Sequence, residues 1–544
     1  MESFHTAAWP FAGQDIRSLL EWRREASRDR TFLVWAPFDG EERTWTYGAF
    51  VDWVERFAAG LGARGVRPGD RVLVHMENSP EFLVAWLGCA AAGVVAVTTT
   101  ARSSAEELKY YCGDAGAVAA VTQPKFAEMV ASACGDLAWI ATTATDAESA
   151  PSDAWPRSDR FDAISADPAA APPRARDPGA PFSVQYTSGT TSRPKGVVWT
   201  HANALWGARV SAAHEDLRED DVHLTTMPLF HTNAQAYSVL ATLWAGATVV
   251  LQPRFSASRF WGVALKHRCT WTSMVPFCSK ALESVVIPER HHFRLWGNAY
   301  CSPPGDAMFG VKTIGWWGMT ETISHGFIGL TDRPNAPMSM GRAAPEYEIR
   351  VLDDRGAPAG PGEVGDLAIR GVRGLSLFAE YLGNPSATAE AFDREGFLLT
   401  GDRVRSDESG FYFFADRAKD LLKVGGENVS AAEVERVILA SPGVREVAVV
   451  GKPHPMLDEA PVAFIIPVDR DDVGLVERVA TACRERLADF KRPHELRIVN
   501  ELPRATLEKV AKSQLRALLY EERANAAAAN LDYRNSGRPP HPVG

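Results

Sequence analysis

No stretch of this sequence is apolar for long enough to cross a bilayer, so membrane insertion is not expected. The longest apolar run, around Val84–Val97, is interrupted by Gly88 and Gly93 and reads as a buried helix leading into a strand. Cysteine is scarce and unpaired in pattern. The seven residues (Cys89, Cys112, Cys134, Cys269, Cys278, Cys301 and Cys483) are odd in number, and no two have the C-x-x-C spacing of a metal or redox motif. That argues against a disulfide-stapled fold and for a reduced, cytoplasmic compartment. Basic charge is in deficit as well: 58 Lys and Arg stand against 68 Asp and Glu, a formal net charge of −10. Free nucleic acid is therefore not an expected partner, because no basic surplus exists to neutralise its phosphates. A small polyanion bound locally stays open. The segment Met1–Trp9 lacks a basic region followed by an apolar run, so no signal peptide is expected.

What is present is a globular composition, 46% hydrophobic and 23% charged, over 544 residues, too many for one core. Short β-like runs alternate with helical patterns. Arg71–Met76 reads as a strand, Ser79–Ala92 as a helix, and Val94–Thr98 and Ala117–Thr122 as further strands. Such alternation implies an α/β fold with largely parallel sheets. Asp146–Pro181, rich in Ala, Pro and Asp, reads as a long surface connection. Glu346–Phe414 is β-rich, and a smaller α+β unit follows, its first helix opened by the capping spacing Ser430-Ala431-Ala432-Glu433. The expected domains are 1–416 and 417–525, with 526–544 an unpacked tail.

After the strand pattern Phe182–Tyr186 comes Thr187-Ser188-Gly189-Thr190-Thr191-Ser192-Arg193-Pro194-Lys195-Gly196. Hydroxyls, backbone N–H groups, two glycines and one lysine form a loop suited to phosphate oxygens, although a solvated polar turn has the same composition. It is not a Walker A loop, which needs Gly before the Lys and Ser or Thr after it. Following a strand, the loop belongs at the carboxyl edge of a sheet. A second glycine pattern, Gly60-Leu61-Gly62-Ala63-Arg64-Gly65, matches G-x-G-x-x-G but ends a helical pattern instead of following a strand. It reads as a helix cap and turn, not a dinucleotide site.

The string Tyr186–Gly196 resembles the signature loop of the adenylate-forming superfamily, which includes the acyl- and aryl-CoA synthetases. Further motifs follow in that family's order, over roughly Asp15 to Leu518. Gly315–Glu321 is similar to the family's Gly-Tyr-Gly-Met-Thr-Glu segment. The resemblance makes Glu321 a magnesium ligand with Thr187 as a second oxygen, puts Trp317 against adenine, and gives Gly318, Met319 and Thr320 nucleotide contacts. Ser188, Gly189, Thr190, Thr191 and Lys195 would hold the phosphates. Thr400-Gly401-Asp402 resembles the ribose motif, with Asp402 as its acid. In Asp416-Arg417-Ala418-Lys419-Asp420, Arg417 would contact ribose or phosphate and Lys419 would be the hinge of a mobile C-terminal domain. Lys423–Val429, with Gly425 and Gly426, resembles the loop lining the thiol tunnel; a plain Gly-Gly turn before a capped helix is equally compatible. Leu502–Lys509 aligns Lys509 with the family's catalytic lysine, although Glu508 and Leu507 depart from the pattern, and Lys512 is the alternative.

The implied activity is ligation of a carboxylic acid to coenzyme A. The acid attacks ATP in the presence of Mg2+ to give acyl-adenylate and pyrophosphate, and a thiol then displaces AMP. A carboxylate is already nucleophilic, so no Ser–His or Cys–His pair is needed, and none is convincing in this chain. Pro228-Leu229-Phe230-His231 resembles the motif before the helix lining the acyl pocket, with His231 between the carboxylate site and the thiol tunnel. Asn233, Ala234 and Tyr237 can share a face of that helix. Gly297, Asn298, Ala299, Tyr300 and Cys301 align with another pocket wall, with Trp296, Trp316, Ser324 and His325 as neighbours. An aromatic lining with few polar groups suits a medium-sized or ring-bearing acid. Overall likeness, in Thr187–Val198, Phe260-Trp261-Gly262, Gly318–Ile323 and Asp332-Arg333-Pro334, is to carnitine/crotonobetaine-CoA ligases. Rival readings are a betaine acid, a stand-alone enzyme loading a carrier protein, and an inactive ligand-binding homologue. A homodimer is the family's common assembly.

Overall fold

The computed structural model describes residues 10–144, 158–171, 173–187, 194–417, 421–503, 510, 512 and 514–522, with 416 and 417 as backbone alone. They fall into two compact units that divide between 417 and 421.

In the first unit, among the described residues, one sheet has nine strands in the order Arg342–Ala343, Phe327–Ile328, Lys312–Trp317, Leu295–Asn298, Trp271–Ser273, Val222–Thr225, Thr248–Leu251, Thr31–Trp35 and Arg43–Thr46. The central pairings are parallel, and the edges are antiparallel. A second sheet of eight strands is centred on Pro181–Thr187, Val95–Thr99, Arg71–His75 and Ala119–Thr122, again parallel. Val95–Thr99 is buried along its whole length, as a strand covered on both faces must be. Its connecting helix Pro80–Ala92 starts where the Ser79 hydroxyl accepts from the Phe82 N–H and stops at Gly93, whose φ of 76° is left-handed. A four-stranded antiparallel sheet, Glu348–Leu352, Val364–Arg370, Leu398–Ser406 and Tyr412–Arg417, forms the β-rich subdomain.

Two expectations change. The helix Tyr47–Ala63 runs through Gly60 and Gly62, and only Gly65 (φ 82°) makes the turn. A Cβ on Gly60 would lie 2.7 Å from the backbone of Ile164, so this glycine permits close packing and does not cap the helix. The segment it packs on belongs to the stretch read as a surface connection. Yet Phe161 and Ile164 there are buried, and the Phe161 ring stacks 5.0 Å from that of Phe57. Two apolar residues in a polar stretch have no periodicity to reveal them, but they pin the connection to the core.

In the second unit Val444–His454 and Asp458–Pro467 make a long antiparallel pair, with Leu421–Val424, Glu427–Ser430 and Glu495–Ile498 completing the sheet. Ser430 caps Ala431–Leu439 by accepting from the Glu433 N–H. The Glu433 carboxylate does not close the capping box in return; it is buried in an ion pair with Lys491 at 2.9 Å.

Candidate active site

In the first unit, Thr187, Asn298 and the segment from Trp317 to Glu321 stand at the carboxyl ends of strands in the parallel sheets, where α/β folds bind ligands. Pro181–Thr187 ends at the signature loop, and Lys195–Thr200 returns antiparallel to it with Thr187 and Lys195 as register partners. The loop is thus the connection of a hairpin, and its two ends are brought side by side. Ser188, Gly189, Thr190 and Thr191 lie outside the described residues.

Lys312–Trp317 runs into Gly318, Met319 and a single 3₁₀ turn, Thr320–Thr322, that carries Glu321. The turn is held from several directions. The Trp199 indole donates to the Thr320 carbonyl at 2.9 Å, the Phe378 N–H to the Glu321 carbonyl at 2.9 Å, and the Tyr347 hydroxyl to the Thr322 carbonyl at 2.6 Å. Thr320 also meets Thr232, hydroxyl to hydroxyl, at 3.3 Å. These contacts hold Ile323 at φ 64°, a left-handed conformation that is strained for a β-branched residue.

Glu321 is buried, and its Oε1 accepts from the Tyr381 hydroxyl at 2.9 Å. Burial raises the Glu321 carboxyl above its ordinary range, while the Tyr381 hydrogen bond and the Lys195 charge act in the other direction. The Lys195 ammonium sits 4.7 Å from the centre of the Tyr381 ring. Lys195, Tyr381 and Glu321 therefore form one cluster. No group of three acidic, His or Cys side chains able to cage a metal occurs among the described residues. A cation here would have to take one carboxylate and complete its shell with phosphate oxygens and water, which is the usual arrangement for Mg2+.

Trp317 and Asp402 are both buried, and the Trp317 indole donates to Asp402 Oδ2 at 2.8 Å. Asp402 and Arg417 face one another across antiparallel strands. The adenine-motif and ribose-motif residues are thus joined directly, through an N–H that Tyr, the usual residue here, does not have at that place.

The residues expected to line the acyl pocket form a second cluster. Asn233 and Tyr237 lie on a π-helical segment, Asn233–Leu240, a geometry common at functional sites. The Asn233 side-chain Oδ1 accepts from the Ser273 hydroxyl at 2.6 Å, and half-buried His231 packs on Phe230 with ring centres 4.2 Å apart. Tyr237, Trp316 and His325 pack ring to ring: 4.1 Å from Tyr237 to His325, 4.7 Å from Trp316 to His325 and 5.6 Å from Tyr237 to Trp316. Gly297 makes room for this, since a Cβ there would lie 1.7 Å from the Trp316 ring; a Cβ on Gly318 would lie 2.3 Å from the Tyr237 hydroxyl. Asn298 donates weakly to Ser279 at 3.3 Å and accepts from the Ala299 N–H at 2.7 Å, and Ser324 meets Ser211 at 3.0 Å. Trp296 does not join this cluster; it is packed with Phe260, Trp261, Phe293 and Phe309.

In the second unit Gly425 (φ 61°) and Gly426 (φ 89°) form the tip of a two-residue hairpin between Leu421–Val424 and Glu427–Ser430, the conformation such turns require. The Lys423 N–H donates to Glu459 at 2.8 Å. Lys512 is held by Glu435 at 2.8 Å. Lys419 and Lys509 lie outside the described residues.

Comparison with known proteins decides what this arrangement belongs to. The model of the AMP-binding enzyme family matches residues 20–382, and that of the AMP-binding enzyme C-terminal domain matches 433–509. The chain belongs to the AMP-binding enzyme family. It is 34% identical over 520 residues to a crotonobetaine/carnitine–CoA ligase of Salmonella paratyphi A, covering 93% of this chain and 99% of that relative. Among solved structures it resembles an o-succinylbenzoate-CoA synthetase from Bacillus subtilis, with a TM-score of 0.78, 27% identity and coverage of 92% of this chain and 98% of that one. An anthranilate-CoA ligase in complex with anthranoyl-AMP matches with a TM-score of 0.70 at 25% identity, over 96% and 100%. The chain is an AMP-forming acyl- or aryl-CoA synthetase, and the family uses ATP, Mg2+ and coenzyme A. No helix among the described residues is long and apolar enough to cross a membrane.

Several residues at the site carry no sequence signal. Tyr381, Tyr347, Thr232 and Gln185, which accepts from Thr232 at 3.2 Å, arrive from separate elements and belong to no recognisable string. Glu215 and His214, against the aromatic cluster, carry no sequence signal either.

Proposed function

We propose that this enzyme activates a carboxylic acid of medium size or with a ring, using the first-unit cluster for adenylation, and transfers the acyl group to coenzyme A. The observation that carries the proposal is the Lys195–Tyr381–Glu321 cluster at the carboxyl edge of the sheets, beside the buried Trp317–Asp402 pair. In the first half-reaction a carboxylate oxygen of the acid bonds to the α-phosphorus of ATP, and the bond to pyrophosphate breaks. No protein base is required, so the enzyme's part is to position the reactants and stabilise charge. Lys195 and the loop beginning at Thr187 would hold the phosphates, and Asp402 and Arg417 the ribose. Lys509 would meet the charge developing at the α-phosphate. Glu321 and Thr187 would hold Mg2+, which neutralises phosphate charge. For the thiol step the family resemblance assigns Lys419 as hinge and the Lys423–Gly426 hairpin as the loop beside the pantetheine arm, with His231 between the acid and the thiol.

Size selection follows from packing. Trp316 fills the space left by Gly297, and Tyr237 that left by Gly318, which favours a compact or planar acid over a long alkyl chain. The relatives named for o-succinylbenzoate and anthranilate make an aryl acid the leading class, and those named for crotonobetaine and carnitine make a betaine acid the second. All seven cysteines are buried free thiols, which supports a reducing, cytoplasmic setting; a homodimer is the assembly inferred from the family.

Acid-dependent ATP–pyrophosphate exchange with aryl, alkyl and betaine acids tests the proposal. Exchange with at least one compact acid, followed by a thioester when coenzyme A is added, is the expected result. Exchange with no acid would point to an inactive homologue. Exchange without a thioester would point to a carrier protein as acceptor.

A further inference from the structure

Behind the aromatic cluster the fold buries two titratable side chains, Glu215 and His325, with polar atoms that no described residue satisfies. Glu215 follows the helix His201–His214 directly and is fully buried, as is His325. Neither Oε1 nor Oε2 of Glu215 has a hydrogen-bond partner, and neither has Nε2 of His325. The two face one another at 3.7 Å, too far for a direct hydrogen bond. A fully buried carboxyl with both oxygens unpartnered is among the most unfavourable groups a fold can carry, and native interiors seldom leave one without a reason.

The surrounding groups set what this pair can accept. At the outer end the Glu346 carboxylate accepts from His214 Nε2 at 2.9 Å. His214 Nδ1 meets His325 Nδ1 at 3.4 Å. That leaves His325 Nε2 and both Glu215 oxygens without a hydrogen-bond partner among the described residues. The other nearby charge, Arg294, is engaged by Asp221 at 2.9 Å and reaches Glu215 only through its field. The Trp271 indole donates to the Glu215 main-chain carbonyl and leaves the carboxyl untouched. No donor from the described residues reaches either Glu215 oxygen. The rings of Tyr237 and Trp316, packed on His325, offer π-faces to a cation.

We propose that Glu215 and His325 are the inner recognition site of the acyl pocket and take a hydrogen-bond-donating nitrogen, a primary ammonium, at the end of the acid remote from its carboxylate. The proposal rests on the adenylation reading above and narrows its substrate class. Asn233 and His231 lie at the reacting end, and Tyr237, one turn further along the same helix, marks the direction of the tail.

The test uses the full-length enzyme, ATP–pyrophosphate exchange and two isosteric pairs: para-(aminomethyl)benzoate against para-ethylbenzoate, and ω-aminohexanoate against heptanoate. In at least one pair the amine-bearing acid should exceed its isostere in kcat/KM by about tenfold or more. In Glu215→Gln that ratio should fall about tenfold, because the carboxylate charge is lost while its size is kept. The wild-type ratios decide the matter even if the variant fails to fold. Isosteres used as well as the amines in both pairs, or an unchanged ratio in Glu215→Gln, would overturn the proposal. Exchange with neutral acids alone defeats this proposal and leaves adenylation standing, whereas exchange with no acid defeats the adenylation on which it depends.

Discussion

The two halves of the first-unit site treat their polar groups in opposite ways. Around the nucleotide motifs, buried acids are held by protein donors: Glu321 by Tyr381, Asp402 by Trp317. Around the residues expected to line the acyl pocket, both Glu215 oxygens and His325 Nε2 are left without partners among the described residues. A site that handles the same ATP in every turnover can be completed by the protein itself. A site that selects one acid gains discrimination by leaving buried groups that only the right ligand satisfies, since a wrong ligand leaves them unpaired.

Substitutions should separate the halves. The largest effect is expected for Glu321→Gln, which removes the buried carboxylate proposed to hold the cation. Exchange should fall about a hundredfold or more with every acid, measured as kcat. Gly297→Ala comes next: its methyl would collide with Trp316, so thermal unfolding should show a loss of about 1–3 kcal/mol, relieved by a smaller residue at Trp316. Trp317→Phe leaves an Asp402 oxygen without its donor. The KM for ATP should rise about tenfold, with little change in preference among acids.

Tyr381→Phe tests the nucleotide half more finely. Its hydroxyl helps hold the Glu321 carboxyl down against burial, so its loss should move that carboxyl further up. The acid limb of the pH–rate profile should then shift towards neutrality, with activity at neutral pH falling about fivefold. The smallest effect is on stability, in the acyl half. Burial raises the Glu215 carboxyl well above its ordinary range, with Arg294 opposing. For an acid raised on folding, the stability is fully present below its unfolded range and is lost as pH rises through the folded value. Glu215→Gln should therefore gain a few degrees in Tm over wild type above neutrality, a gain that shrinks on acidification.

The same contrast explains what the sequence could tell. The nucleotide half was legible because its acids and lysines sit in contiguous strings, Thr187–Gly196, Gly315–Glu321 and Thr400–Asp402. Their partners were not, because Tyr381 and Trp199 meet the strings only through sheet pairing and tertiary packing. In the acyl half each wall comes from a different element. Glu215 closes a helix, Gly297 ends one strand, Trp316 lies in the next, and His325 follows the strained turn at Ile323. Nothing in a single sequence links them. In the fold, alternation of strands and helices revealed the parallel sheets. It could not show that Lys195–Thr200 turns back antiparallel, because side-chain periodicity is the same in both directions. Nor could it show that Gly60 is a packing glycine, since its neighbour Ile164 lies in a segment without pattern.

The most direct test is acyl-adenylate formation in a single turnover by Glu321→Gln and Glu215→Gln, each with ω-aminohexanoate and with heptanoate. Glu321→Gln should lower both acids by the same factor, and Glu215→Gln should change their ratio. A selective effect of Glu321→Gln, or a uniform one of Glu215→Gln, would contradict the division of the site into a self-completed nucleotide half and a substrate-completed acyl half.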